Sequence, residues 1–590
     1  MKQKQHILTN PENLLAYREE YEQTVFVSED WIMHRNVSDN KSVEVIKGLM
    51  ASHTIDRDES KYLEKIHSDI GSWLDQIYKK NVNSKFKTER LIDPWLDLLI
   101  YHSYQTWNFV EKIGELQLTV IHSDNNSFAR PCDTRDFLNS LFDGRFNDLA
   151  IEIGARLKRV ESIVVTQHKF NSHTDNIKTK NHRRKSFKAI IKAKRKILNL
   201  VPYIFFWKKD IVCLYGVRNP GLLLFFGNIL TSKKWIYLES IDDKNLCDES
   251  YILRSIVDDK NYSHDKSMSR DDFSAYIVEM IIRCIPESFL SFPSSSKNKI
   301  YFNNIAYFMT STSQWVDDGF KKNISSQCSA SKLIIYQHGG SYGMMRNPIH
   351  QEKYELKISS VYFSWGWQND SEKNIIPFVM SLGNNKEKLK NKLEVRRIRI
   401  ILTRIKPFSR GDLWDSSEWN KKYITNIIYI SNLIMDRYKI KVCIKLHPSQ
   451  LSIYDITAYL EKHIKNVEFD YSDVCDVSGD SLDIVTQNST VLLQKMAIGR
   501  PFIYFNPFGF RSLNPSALKH FKILHDAKIF HSTINELLNH IFSILDDTVY
   551  NNWWCSKSTE AAISNFLSIY GNSGLSNIFK AFKVLDRKFN

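Results

Sequence analysis

Apolar residues recur at two different spacings along this chain. From 58 to 80, DESKYLEKIHSDIGSWLDQIYKK, they fall three and four apart, the period of an amphipathic helix, with Asp58 placed as its N-cap. LIDPWLDLLIYHSYQTWNFVEKI (91–113) predicts a second, strongly apolar helix. Residues 1–110 are therefore expected to form a helical extension. Beyond it the texture changes to short β-branched and aromatic runs bounded by polar or glycine breaks. These are QLTVIH (117–122), SIVVTQ (162–167), DIVCLYG (210–216), KWIYLES (234–240), NIAYFMTS (304–311), KLIIYQH (332–338) and SVYFSWG (360–366). Runs of this kind suit strands covered on both faces, so 111–385 is expected to be one α/β domain with a parallel sheet.

The charged stretch GNNKEKLKNKLEVRR has no apolar period and predicts a linker over 386–397. A second cycle follows. Strands at 397–404, 440–448, 466–472, 482–489 and 501–507 are interleaved with helices at 423–438, 454–464 and 490–499. This βαβαβ order predicts a Rossmann-like nucleotide-binding domain over 398–545. Residues 546–590 are rich in helix formers and are expected to pack back on the first α/β domain.

Composition narrows the class. At 590 residues the chain is too long for one core, and 43% apolar residues with 34 Phe, 27 Tyr and 13 Trp predict dense domains rather than disorder. The net charge of +15 favours anionic partners. Ten Lys or Arg lie within KTKNHRRKSFKAIIKAKRK (178–196), which reads as a solvated face or as a contact with an anionic membrane. No nucleic-acid-reading motif accompanies it, so nucleic acid is not an expected partner. The eight cysteines form no CxxC or Cys/His metal spacing, which predicts neither structural zinc nor a disulfide framework. MKQKQHILTNPENLL lacks the apolar region of a signal peptide, and runs such as GLLLFFGNIL (221–230) are too short to span a bilayer. A cytoplasmic protein, peripheral at most at the inner membrane, is expected.

Candidate chemistry sits at strand ends, where open parallel sheets bind ligands. In the second α/β domain these ends carry Thr403-Arg404, Lys445-Leu446-His447-Pro448 and Asn488-Ser489-Thr490. Hydroxyls, amides and cations beside a helix start suit a phosphate, although each alone also reads as an N-cap or a strand terminator. In the first domain the strand KLIIY runs into Gln337-His338-Gly339-Gly340-Ser341-Tyr342-Gly343. The glycines permit positive φ and close backbone approach to a ligand. His338 is expected at the mouth of the sheet, as a general base or as a structural histidine beside a turn. Glu352 and Glu355 lie three apart on a following helix, and Glu355 is placed to tune His338 or to act as the base itself. GxGxxG, GxxxxGK[ST] and GxSxG are all absent, and Asp56-Arg57-Asp58 reads as a helix start rather than a metal–nucleotide motif.

QHGGSYG, the following glutamate, SWGW (364–367), KLHP and QNST resemble a bacterial family of transferases from O-antigen and surface-polysaccharide gene clusters. ERLIDPWLDLLIYHSYQTW (89–107) is similar to that family's N-terminal helical segment. The His-Pro and Ser/Thr pair also resembles GT-B glycosyltransferases that use CMP-sialic acid or CMP-Kdo. The resemblance implies a GT-B-like fold, two Rossmann-like domains facing a cleft. It implies a transferase of a surface-glycan sugar and leaves the donor open. A nucleotide-sugar donor and a glycan or lipid-linked glycan acceptor are expected, with no metal or other cofactor, because the cations, hydroxyls and helix N–H groups can replace a divalent ion at the leaving phosphate. His447, Ser489 and Thr490 would contact the cytidylate phosphate, with Thr403, Arg404, Lys445, Pro448 and Asn488 around them. His338 and Glu355 would be catalytic, with Gln337, Gly339, Gly340 and Tyr342 at the acceptor. A CDP-polyol phosphotransferase and a non-catalytic scaffold of polysaccharide assembly are the rival readings.

Overall fold

The computed structural model describes residues 6–8, 25–28, 43–46, 57–81, 87–123, 129–142, 145–165, 210–217, 220–238, 272–290, 305–326, 332–346, 350–369, 372–380, 395–405, 417–447, 456–474, 481–487, 489–546, 550–572 and 574–589. The basic run 178–196, most of the expected linker, Pro448 and Asn488 lie outside them, as does the side chain of Ser489.

Three parallel sheets follow one another along the chain. The first contains β1 (His6–Leu8), β2 (Val25–Ser28), β3 (Val43–Ile46), β4 (Thr119–Ser123) and β5 (Ser162–Val165), in the order β3-β2-β1-β4-β5. This adds strands to the expected helical extension. Strands of three or four residues are too short for their alternation to stand out in sequence. The strands expected at 117–122 and 162–167 also belong to this sheet and not to the middle domain. Helices Arg57–Asn81, Thr88–Glu115, Thr134–Phe142, Arg145–Lys158 and Asp272–Cys284 share one core around Trp95, Leu96, Phe137 and Tyr276. Asp58 lies inside the first turn and not at the N-cap, with Lys61 Nζ 3.2 Å from its Oδ1.

The middle sheet comprises β6 (Ile211–Tyr215), β7 (Lys234–Leu238), β8 (Ile305–Thr310), β9 (Lys332–Tyr336), β10 (Val361–Ser364) and β11 (Ile375–Pro377), ordered β11-β10-β9-β8-β6-β7. The last comprises β12 (Arg397–Ile401), β13 (Lys441–Lys445), β14 (Glu468–Phe469), β15 (Ser481–Thr486), β16 (Phe502–Phe505) and β17 (Phe530–His531), ordered β14-β13-β12-β15-β16-β17. This is a doubly wound order whose direction reverses between β12 and β15. The two Rossmann-like domains expected from the sequence are both present. One apolar core joins them. It runs from Ile334, Tyr362 and Phe363 of the middle sheet to Leu492, Met496 and Phe521 of the C-terminal domain. Phe566 and Phe582 of the last two helices, Lys557–Tyr570 and Leu575–Phe589, belong to the same core.

A second layer of order is ionic. Arg399 and Asp483 face each other in the β12–β15 register, and the guanidinium grips the carboxylate through Nε at 2.9 Å and Nη2 at 2.8 Å. Lys495 Nζ, fully buried, lies 2.6 Å from the same carboxylate, and Asp470 accepts from Arg399 Nη1 at 3.0 Å. The cluster ties helix Ser489–Ile498 to the sheet beneath it. Removing the central acid leaves two cations with one carboxylate between them. Asp483→Asn is expected to destabilise the protein by about 3–5 kcal/mol, read as a lowered urea midpoint.

Candidate active site

Helix His350–Ile358 carries the two glutamates, and the N-terminal layer holds it in place. Pro94 sits inside helix Thr88–Glu115 and has no N–H for the carbonyl of Arg90, four residues back. Tyr354 donates its hydroxyl to that carbonyl at 3.3 Å. Lys357 pairs with Asp93 at 2.8 Å. The segment 89–107 therefore acts as a buttress behind the glutamate helix.

Glu355 is completely buried. Its Oε1 accepts from Trp315 Nε1 at 2.7 Å, Gln314 Nε2 at 2.9 Å and the Tyr342 hydroxyl at 3.4 Å, and its Oε2 accepts from the Tyr362 hydroxyl at 3.3 Å. His338 Nδ1 stands 3.5 Å from Oε1, and Nε2 is 3.4 Å from the Tyr342 oxygen. His338 keeps about a fifth of its side chain exposed, so the pair connects a sealed carboxyl to an accessible imidazole. Burial pushes Glu355 up to about 8, against the pull of its donors. Burial likewise pushes Glu352 up to about 7, against the Gly343 N–H that it accepts at 3.0 Å.

Gln337, Tyr342 and Gly343 make contacts within the protein. Gln337 is buried, and its side-chain carbonyl accepts from the Trp365 N–H at 2.7 Å and Trp367 Nε1 at 2.8 Å. Its amide donates to the Gly339 carbonyl at 2.6 Å, so Gln337 clamps QHGG to SWGW. Tyr342 is also buried and braces His338 and Glu355, presenting no face to an acceptor. Gly343 has φ +71°, and a Cβ there would stand 2.3 Å from Trp367 Cδ2. The close approach it permits is to the protein's own tryptophan.

The glycine loop crosses to the other domain. Gly340 N–H donates to Thr490 Oγ1 at 2.9 Å. Asn514 donates Nδ2 to the Gly343 carbonyl at 2.7 Å while its Oδ1 caps helix Pro515–Asp526 through the Ala517 N–H. Arg346 N–H donates to the Ser512 carbonyl at 2.8 Å and Asn514 N–H to the Met344 carbonyl at 3.0 Å.

The ends of β13, β12 and β15 are neighbours in their sheet, which brings Lys445-Leu446-His447, Thr403-Arg404 and Gln487 to one edge beside the Ser489–Ile498 helix start. Gln487 has φ +54°, a left-handed turn from strand into helix. The Thr403 N–H donates to the Tyr423 hydroxyl at 3.1 Å, and that hydroxyl bonds Thr486 Oγ1, closing β12 onto β15. Lys445 Nζ is turned to the Ser472 carbonyl beyond β14, so its charge sits off the switch point. Arg404, His447 and Thr490 remain half-buried at the edge. The sequence reading missed Gln314, Trp315 and Asn514. The strand-end rule applied to β8 leads to the first two, and Asn-Pro before a helical run marks the third.

The unfolded chain releases the Glu355 proton near 4.5, whereas the folded protein holds it until about 8. Between those values the unfolded state binds fewer protons, so this group lowers stability as pH rises. Glu355→Gln removes the effect. Its melting temperature relative to the unmodified protein is expected to rise from about pH 5 to about pH 8.

Among solved structures with a related outline is HepE from Anabaena in complex with UDP and glucose, 10% identical, covering 65% of this chain and 99% of that one at a TM-score of 0.35. UDP-N-acetylglucosamine 2-epimerase from Rickettsia bellii is 10% identical, covering 65% and 99% at a TM-score of 0.31. The wall teichoic acid polymerase TagF, soaked with CDPG, is 11% identical, covering 69% and 97% at a TM-score of 0.28. The fold rests on the strand orders above and not on these distant likenesses. No curated protein matches the chain. The model of the LIC12162 family transferases matches residues 11–575, and the chain belongs to that family of transferases.

Proposed function

We propose that this transferase moves a sugar from a nucleotide donor, a CMP-linked nonulosonic acid or Kdo, to a glycan or lipid-linked glycan acceptor. The Gly340–Thr490 hydrogen bond carries the reading, because it sets the glycine loop that bears His338, the partner of Glu355, against the helix start at the switch point of the other sheet. The acceptor hydroxyl attacks the anomeric carbon and gives its proton to His338 Nε2. Glu355, 3.5 Å from Nδ1, stabilises the imidazolium when it is in its ionised form. The bond from the anomeric carbon to the donor phosphate oxygen breaks, and its electrons go to the phosphate. The N–H groups of helix Ser489–Ile498, Thr490, His447 and Arg404 stabilise the charge that develops there.

The test is a panel of activated donors. Nucleotide release with phosphorus-free sugar in the product supports the proposal. Phosphorus in the product marks polyol-phosphate transfer, and failure to bind any nucleotide marks a scaffold. His338→Ala and Glu355→Ala are each expected to lower turnover by ~10²–10⁴-fold with nucleotide affinity nearly unchanged. His447→Ala is expected to weaken nucleotide binding in calorimetry by roughly 1.5–3 kcal/mol.

A further inference from the structure

Helix Pro220–Leu230, PGLLLFFGNIL, contains no charged residue. Leu223, Leu224, Gly227 and Asn228 face the middle sheet. Leu222, Phe225 and Ile229, spaced three and four apart, face outward with 41%, 53% and 53% of their surface exposed. Three large apolar side chains on one free helix face are unusual unless something covers them.

The neighbouring helix Leu575–Phe589 extends this strip and gives it a charged border. Ile578, Ala581, Phe582 and Leu585 point inward, Phe582 against Trp235 and Phe378. Phe579 packs its ring 5.4 Å from Phe226 and stays 48% exposed, which continues the strip from one helix to the next. Lys580, Lys583 and Arg587 line the outward side beside it. The acid of this helix, Asp586, is already engaged, accepting from the Ser232 N–H at 2.7 Å and its hydroxyl at 2.9 Å. Lys233 at the start of the sheet edge is already paired with Asp210 at 2.6 Å.

We propose that this face docks on an anionic lipid bilayer. Leu222, Phe225, Ile229 and Phe579 enter the boundary between headgroups and acyl chains, and Lys580, Lys583 and Arg587 meet the lipid phosphates. The charge pattern selects a bilayer over a second copy of the chain. A two-fold pairing through this face would bury three cations per copy, and the one acid on the two helices, Asp586, is already held by Ser232. The proposal is independent of which donor the transferase uses.

Flotation of the full chain with vesicles tests it, comparing phosphatidylglycerol-rich membranes with pure phosphatidylcholine. Binding to the anionic vesicles is expected, falling with salt. Two triple variants, Lys580→Glu/Lys583→Glu/Arg587→Glu and Phe225→Ser/Ile229→Ser/Phe579→Ser, should each weaken it by about tenfold or more while melting like the unmodified protein. Three results would overturn the proposal. One is wild-type binding by both variants, which assigns the membrane to another surface such as 178–196. The second is no binding to either vesicle. The third is a concentration-dependent dimer in sedimentation that the serine variant abolishes, which assigns the face to a second copy.

Discussion

The arrangement of this protein turns on keeping one carboxyl group, Glu355, out of water. An isolated buried carboxylate is too costly to persist, so the fold surrounds it with donors from three places: Gln314 and Trp315 after β8, Tyr342 in the glycine loop, and Tyr362 on β10. Each donor constrains its own segment, so the need to satisfy one acid fixes the relative positions of β8, β9, β10 and the glutamate helix. His338 is the exposed member of this group. Its ring lies edge-on to Tyr342, one of the buried members, at 5.5 Å between centroids.

The same loop is fixed from the other side. Glu352 takes the Gly343 N–H and Asn514 the Gly343 carbonyl, one from each domain. A residue whose N–H is held from one domain and whose carbonyl is held from the other is a sensitive gauge of their separation. A shift between the sheets would pull on these two bonds at Gly343, five positions from His338.

Much of the layout was legible because long parallel strands buried on both faces write unmistakable apolar runs, and because chemistry gathers at their carboxyl ends. The ends of β13, β12 and β15 stand together for that reason, since these strands are neighbours in the sheet, although the Lys445 ammonium turns to the Ser472 carbonyl. What stayed hidden was pairing. The charges of Arg399, Asp483 and Lys495 look like interruptions of apolar runs until the register sets them opposite one another. The role of Gln337 could not be read because its partners, Trp365 and Trp367, are nearly thirty residues away in sequence and adjacent only through the β9–β10 pairing. The short strands β1 to β3 carry too few residues to show a period at all.

The continuous core between the middle and C-terminal domains has a thermodynamic consequence. Two lobes with separate interiors can part like a hinged clasp at small cost. Here, opening the lobes would expose Leu492, Met496 and Phe521 on one side and Ile334 and Phe363 on the other. Exposing such residues is a substantial fraction of the stability of an ordinary domain. The lobes are therefore welded into one cooperative body.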